Sequence, residues 1–257
     1  MNQSERREYL IHYLLTEHAE YDGVEIPKDA AGQKTLLRAL FNVRMPQRVT
    51  GEFLRIQNDY LQEEIRQKGI TDYKNLSELQ PDLYLWQGDI STLKCGAIVN
   101  AANSQMLGCF RPNHACIDNC IHTFSGIQLR KACYEIMQKQ GHEESTGTAK
   151  ITSAYNLPCD YVLHTVGPIV SGELTKMHED LLASCYLSCL ELAEQNKITS
   201  IAFCCISTGV FRFPNERAAE IAVQTVKEYK VRTDNEIKVI FNVFKDIDLE
   251  IYRRILQ

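Results

Sequence analysis

The chain has no surplus of positive charge: 28 Lys and Arg stand against 33 Asp and Glu, a net charge of -5. That balance argues against broad electrostatic binding to nucleic acid, which needs a basic surface to displace phosphate counterions. No apolar run approaches the roughly 20 residues that a membrane-spanning helix requires. The N-terminal stretch MNQSERREYLIHYLL lacks the basic-then-apolar-then-small order of a secretory signal. These absences predict a cytoplasmic protein with no membrane and no nucleic-acid partner. In a reducing compartment ten cysteines are free thiols or metal ligands, since a disulfide framework belongs to secreted chains. An apolar content of 44% is enough for a substantial core.

The first eighty residues read as helical. Ser4 caps an amphipathic helix through Glu17, a second covers Lys34 to Asn42, and Thr50 opens a third over Gly51 to Lys68, closed by Gly69. Glu17, Arg38, Arg44 and Arg55 read as solvated or locally paired. Asp72 to Pro81 reads as a linker. From Asp82 the pattern changes to apolar strands at 83–89, 97–103, 148–154, 161–167, 199–207 and 237–244. Helices over about 117–140, 177–196, 214–229 and 249–256 separate most of them. Such alternation predicts an α/β fold with a mixed, mostly parallel central sheet covered on both faces. The division expected is a helical N-terminal extension, 1–80, and an α/β domain, 81–257.

One loop concentrates chemistry. In LGCFRPNHACIDNCIH (107–122), Cys109, His114 and Cys116 fall within eight residues, and a helix begins near Ile117. Two thiolates and an imidazole suit zinc, and three protein ligands leave a fourth position for water or a substrate oxygen. The spacing is not a standard zinc-finger pattern, so buried packing cysteines are the competing reading. Cys120 and His122 are further candidates, though their helical positions favour core packing. Asp118 lies at the start of the helix, where negative charge and phosphates are favoured.

Other polar groups close apolar strands, where ligands sit in open α/β sheets. Asp89 could accept a hydrogen bond from an amine or simply form a turn. Asn100 and Asn103 could bind ribose hydroxyls or brace a loop. Ser207, Thr208, Gly209, Val210 and Phe211 form a small-residue loop ahead of the helix at Pro214, suited to wrapping a phosphate in backbone N–H groups. Phe211 could stack on a sugar or pack inward. His164 reads as a satisfied core histidine, and Cys204 and Cys205 as packing.

GDIS (88–91), NAAN (100–103), IHTFSG (121–126), AYNLPCDYVLHTVGP (154–168) and ISTGVFRFPNERAAEIA (206–222) together resemble the ordered signatures of a macrodomain, a three-layer α/β/α family that binds ADP-ribose. The resemblance implies that Asp89, with the backbone of Ile90, holds the adenine amino group. Asn103 would meet the distal ribose, Ser207 to Phe211 would wrap the diphosphate, and Cys116, Ile117 and Asp118 would contact the substrate. The loop between NAAN and IH departs from the glycine-rich loop of MacroD-type hydrolases. With LLRALFNVRMP near the N-terminus, it is similar to a zinc-dependent macrodomain branch. Cys109, His114 and Cys116 would there hold Zn2+ at the distal ribose, with Asp118 and Asn103 as catalytic groups. That branch implies removal of mono-ADP-ribose from Asp or Glu side chains, the modified protein being a lipoate carrier served by a sirtuin-like ADP-ribosyltransferase. Arg212, in place of a small residue, predicts a narrower or more basic mouth. The alternatives are an ADP-ribose reader with structural zinc and a redox sensor built on Cys109, Cys116 and Cys120.

Overall fold

The computed structural model describes all 257 residues, Met1–Gln257. Three helices come first: α1 (Gln3–Leu15), α2 (Ala30–Val43) and α3 (Gly51–Lys68). The cap of α1 is Asn2, two residues earlier than expected, because Asn2 and Glu5 exchange side-chain and backbone bonds in a capping box. Asp29 caps α2 and Thr50 caps α3. The three helices enclose their own small core, which includes Leu10, Leu37, Phe53 and Leu61.

The segment expected as a linker carries structure. Strand β1 (Thr71–Asp72) and strand β2 (Glu78–Gln80) precede β3 (Leu83–Gln87), and β2 pairs antiparallel with β3. Next come β4 (Leu93–Lys94) and β5 (Ala97–Ala102), with β1 and β4 forming a separate parallel pair. Helices α4 (Ile117–Ser125) and α5 (Ile127–Gln140) replace the single helix expected over 117–140. Gly126, at φ +96°, breaks it, in a conformation that an L side chain adopts only with strain. Then β6 (Ala149–Ser153), β7 (Tyr161–Val166), α6 (Lys176–Gln195), β8 (Ser200–Phe203), α7 (Asn215–Thr233), β9 (Lys238–Val243) and α8 (Asp246–Leu256) complete the chain.

The main sheet has seven strands in the order β2-β3-β9-β8-β5-β7-β6. Only the two edge pairings, β2 with β3 and β6 with β7, are antiparallel. The central strands are buried on both sides, as in Ile98, Val99, Ile201, Ala202, Val239 and Ile240, which explains their continuous apolar reading. Helices α4 and α5 pack on β5 and β6, while α6, α7 and α8 pack on one another and on β3, β6, β7 and β9.

The helical layer joins the α/β part through α4 and α5, along a seam rich in polar bonds. Gln57, fully buried, donates to Gln128 Oε1 (2.6 Å) and accepts from the Ile127 N–H (3.0 Å). Arg130 of α5 donates to the backbone oxygens of Phe41 and Arg44. Arg44 is itself buried in a two-bond pair with Glu17, both contacts at 2.7 Å.

Candidate active site

Strands β3, β9, β8 and β5 run parallel to one another, so their carboxyl ends share one edge. Asp89 and Phe244 follow β3 and β9, the 207–211 loop follows β8, and Asn103 follows β5. At about 4.8 Å between strands, these groups span three intervals, about 14 Å, in the order Asp89, Phe244, loop, Asn103.

Beyond Asn103 lies the cysteine-histidine loop. Ligand atoms of Cys109, His114 and Cys116 all lie within 4.8 Å of one another, and the three residues are half-buried. Cys109 Sγ is 3.6 Å from His114 Nδ1. Tetrahedral zinc with bonds of about 2.3 Å to sulfur and 2.0–2.1 Å to nitrogen would separate those atoms by about 3.6 Å, so the donor set and its spacing fit a metal ion. Burial pushes the Cys116 thiol up to about 12, and an entering metal would displace its proton. Gly108 sits at φ +80° with its α-carbon against the His122 ring: a Cβ there would lie 2.7 Å from the imidazole. The loop tolerates only glycine at that place.

Asp118, at the first turn of α4, is 5% exposed. Asn100 Nδ2 donates to its Oδ1 at 2.8 Å and Asn103 Nδ2 to its Oδ2 at 3.4 Å. Burial pushes the Asp118 carboxyl up to about 6 against the opposing pull of the Asn100 bond and the Arg130 charge. His122 Nε2 stands 3.5 Å from Asp118 Oδ1. Burial holds His122 well below the ordinary imidazole range, so this is a contact between a neutral ring and a carboxyl, not an ion pair.

The Gly108 carbonyl of the loop accepts from Asn103 Nδ2 at 3.2 Å, so Asn103 braces the loop, whereas the shorter bond to Asp118 comes from Asn100. Asn100 is fully buried and its amide also meets His164 Nδ1 at 3.1 Å. An amide N–H spent there makes Nδ1 the acceptor and assigns the ring proton to Nε2, which faces Thr152 Oγ1 at 2.9 Å. His164 is thus a satisfied core histidine. His122, Cys133 and His164 also cluster closely enough for a metal ion. Their environment opposes one: His164 has both nitrogens committed to Asn100 and Thr152, and all three residues are buried.

At the far end, Asp89 is both a turn residue and an accessible carboxylate. Its Oδ1 accepts from the Ser91 N–H (3.0 Å) and hydroxyl (2.6 Å), and its Oδ2 from Lys68 Nζ (2.9 Å). Burial would raise its pKa, but these bonds together hold the group below its ordinary value. Ile90 is buried beside it. Phe244 was not anticipated. It is 76% exposed, immediately after β9, and its carbonyl accepts from Gln87 Nε2 at 3.3 Å. The available signal was an aromatic closing an apolar strand at the ligand-bearing edge.

The 207–211 loop is folded on itself. Phe213 N–H donates to Ser207 O (3.0 Å), Arg212 N–H to Gly209 O (3.1 Å), and Val170 N–H to Phe211 O (2.9 Å). The N–H groups of Ser207, Gly209, Val210 and Phe211 have no acceptor within the protein. Gly167 lets the loop approach, since a Cβ there would lie 2.0 Å from Ser207 Oγ. Thr208 and Phe211 are half-buried, while Val210 and Arg212 are exposed. The structure therefore brings Asn103, Asp118, Cys109, His114, Cys116 and Ile117 together, and places Asp89, Ile90 and the 207–211 loop along the same edge, with residues 90–92 packed on α4. Cys120, the remaining candidate, lies 3.4 Å from an Arg38 nitrogen, outside the metal-ligand cluster.

The sequence profile described as "Macro domain" matches residues 99–222. A chain from Treponema medium named "Protein-ADP-ribose hydrolase" is 60% identical, covering 100% of both chains. Among solved structures, an Oceanobacillus iheyensis macrodomain mutant with ADPR is 37% identical over 70% of this chain and 94% of its own, with a TM-score of 0.62. A Trypanosoma brucei macrodomain in complex with ADP-ribose is 27% identical over 86% of this chain and 95% of its own, with a TM-score of 0.67. The topology, the profile and the full-length similarity agree: this chain belongs to the macrodomain family.

Proposed function

We propose that the protein hydrolyses mono-ADP-ribose from Asp or Glu side chains of other proteins, with Zn2+ held by Cys109, His114 and Cys116. The observation that carries this reading is the linear order along one sheet edge: a carboxylate and an exposed ring, then free amides, then a metal-type cluster beside a buried carboxyl. That order matches base, diphosphate and distal ribose. Adenine would stack on Phe244 and donate its amino group to Asp89 next to the Ile90 backbone. The unpaired N–H groups of the 207–211 loop would hold the diphosphate, with the N–H groups at the start of α4 adding to them. Phe211, Asn103, Cys116 and Ile117 would border the distal ribose.

Asp118 would orient and deprotonate the attacking water. Asn100 and Asn103 hold its two oxygens, so the carboxyl reacts from a fixed position. Hydrolysis adds water across the ester, returning a carboxylate on the modified protein and a hydroxyl on the released ribose. Zinc, when bound, supplies positive charge that orients and polarises oxygens of the ribose or ester. The zinc-macrodomain resemblance further proposes a lipoate carrier as substrate and a sirtuin-like ADP-ribosyltransferase as the enzyme whose product is removed.

The test is release of ADP-ribose from a protein modified on Asp or Glu, before and after metal removal. Release that stops with a chelator and returns with zinc is the expected result. Release indifferent to zinc would shift the chemistry to Asp118 alone. Binding without release in either state would make the protein a reader.

A further inference from the structure

We infer that the N-terminal helical layer is a working part of the metal site, with Arg38 and Asn42 of α2 as positioning residues for the ligand loop. The inference rests on the zinc reading above. From Ser104 to Cys116 the loop has no regular secondary structure, and it holds Met106, Gly108 and Asn113 at positive φ. Such a loop keeps one conformation only if its surroundings over-determine it.

Much of that determination comes from α2. Arg38 and Asn42 stand one turn apart, about 6 Å along the helix. The Arg38 Nη2 group donates to the carbonyl oxygen of the ligand residue His114 (3.0 Å) and to Asn119 Oδ1 (2.9 Å). Asn42, buried, accepts from the Asn113 N–H (2.9 Å) and donates to Thr123 Oγ1 (2.9 Å). Asn119, steadied by Arg38, donates in turn to the carbonyls of Cys109 (3.2 Å) and Arg111 (3.0 Å). Two helical side chains and one relay therefore fix the backbone at residues 109, 111, 113 and 114, spanning two of the three ligands. Outer residues that orient metal ligands typically change metal affinity by about 10–100-fold when removed.

A purely adhesive role for α2 makes a different prediction. Gln57 joins the same two layers without touching the loop, so it serves as the control. The experiment measures the zinc Kd by competition with a chromophoric chelator, and the melting temperature of metal-free protein, for the full-length wild type, Arg38→Gln, Asn42→Ala and Gln57→Ala. Absorption of the cobalt-loaded proteins reports ligand geometry independently of activity.

The expected result is a zinc Kd raised about tenfold or more in Arg38→Gln and Asn42→Ala, with an altered cobalt spectrum, and little change in Gln57→Ala. Where Arg38→Gln lowers the metal-free melting temperature more than Gln57→Ala does, Arg38→Met replaces it, with the same expectation because a helix-forming apolar side chain of similar reach cannot donate to His114 O or Asn119 Oδ1. Equal zinc affinity in all four proteins, or an equal loss in Gln57→Ala, overturns the inference and leaves the zinc reading standing. A wild type that binds no zinc overturns both.

Discussion

Asn100→Ala tests how the buried amide supports Asp118. The substitution removes a 2.8 Å bond to the Asp118 carboxyl and a 3.1 Å bond to His164 Nδ1, in a place that is 0% exposed. A hydrogen bond to a charged group contributes about 1.5–3 kcal/mol, and a buried acceptor left unpaired costs about 1–3 kcal/mol. The total is about 2.5–6 kcal/mol. At about 2.1 cal/mol/K of unfolding entropy per residue, a 257-residue chain loses about 5–11 °C in melting temperature. The attribution to Asp118 is read from a double-mutant cycle with Asp118→Asn, followed by denaturant unfolding. Without the carboxylate, Asn100 loses a charge-assisted bond and keeps an ordinary one, so its removal should cost about 1 kcal/mol less. Turnover should fall in Asn100→Ala and should not fall further when Asp118→Asn is already present. Additive stabilities, within about 0.5 kcal/mol, together with unchanged turnover in Asn100→Ala, would refute the supporting role.

Two more outcomes follow from individual groups. His164 is held at about 3 by burial, against an ordinary 6.5, so between those values the unfolded chain binds a proton that the folded ring refuses. Stability is then complete above about pH 6.5 and falls as pH drops, by up to about 1.4 kcal/mol per unit. Asp118, raised from 3.8 to about 6, works in the opposite sense between its two values, so the quantity to measure is the difference between wild type and His164→Gln. From pH 7 to pH 5 that difference should change by about 2 kcal/mol, and a flat difference would show that His164 titrates normally. For Phe244→Ala, loss of stacking worth about 1–3 kcal/mol should raise the ADP-ribose Kd by about 5–150-fold. An isothermal titration showing less than a twofold change would remove Phe244 from the adenine site.

Elements with long, continuous apolar patterns were legible in the chain. The strands at 97–103, 161–167 and 237–244 are buried on both faces, so their composition alone identified them and implied the mostly parallel sheet. The metal-type cluster was legible because its ligands are local: Cys109, His114 and Cys116 lie within eight residues, and a short loop can bring them together without help from distant contacts. The short edge strands at 71–72 and 78–80 left no such pattern, because two or three half-exposed residues carry no periodicity. The break at Gly126 was hidden for a related reason. Apolar spacing continues across it, and only the backbone angle separates α4 from α5.

Arg38 shows why the remainder of the site was out of reach. In the sequence it is one charge on an amphipathic helix, for which a solvated face or a neighbouring acid is the ordinary fate. Its partners in the structure, His114 and Asn119, are 76 and 81 residues away, and neither carries a negative charge that would have drawn attention to the pairing. Asn42 is hidden in the same way: it ends an apolar run, yet its partners are a backbone N–H and a threonine hydroxyl 71 and 81 residues on. Ligands advertise themselves by residue type, whereas the groups that aim them are ordinary amides and guanidinium groups chosen by position. The chemistry of a site can therefore be read locally while its precision depends on contacts that only the folded chain supplies. On that argument, truncating the helical layer would leave all three ligands and Asp118 in the chain but remove the contacts that hold the loop.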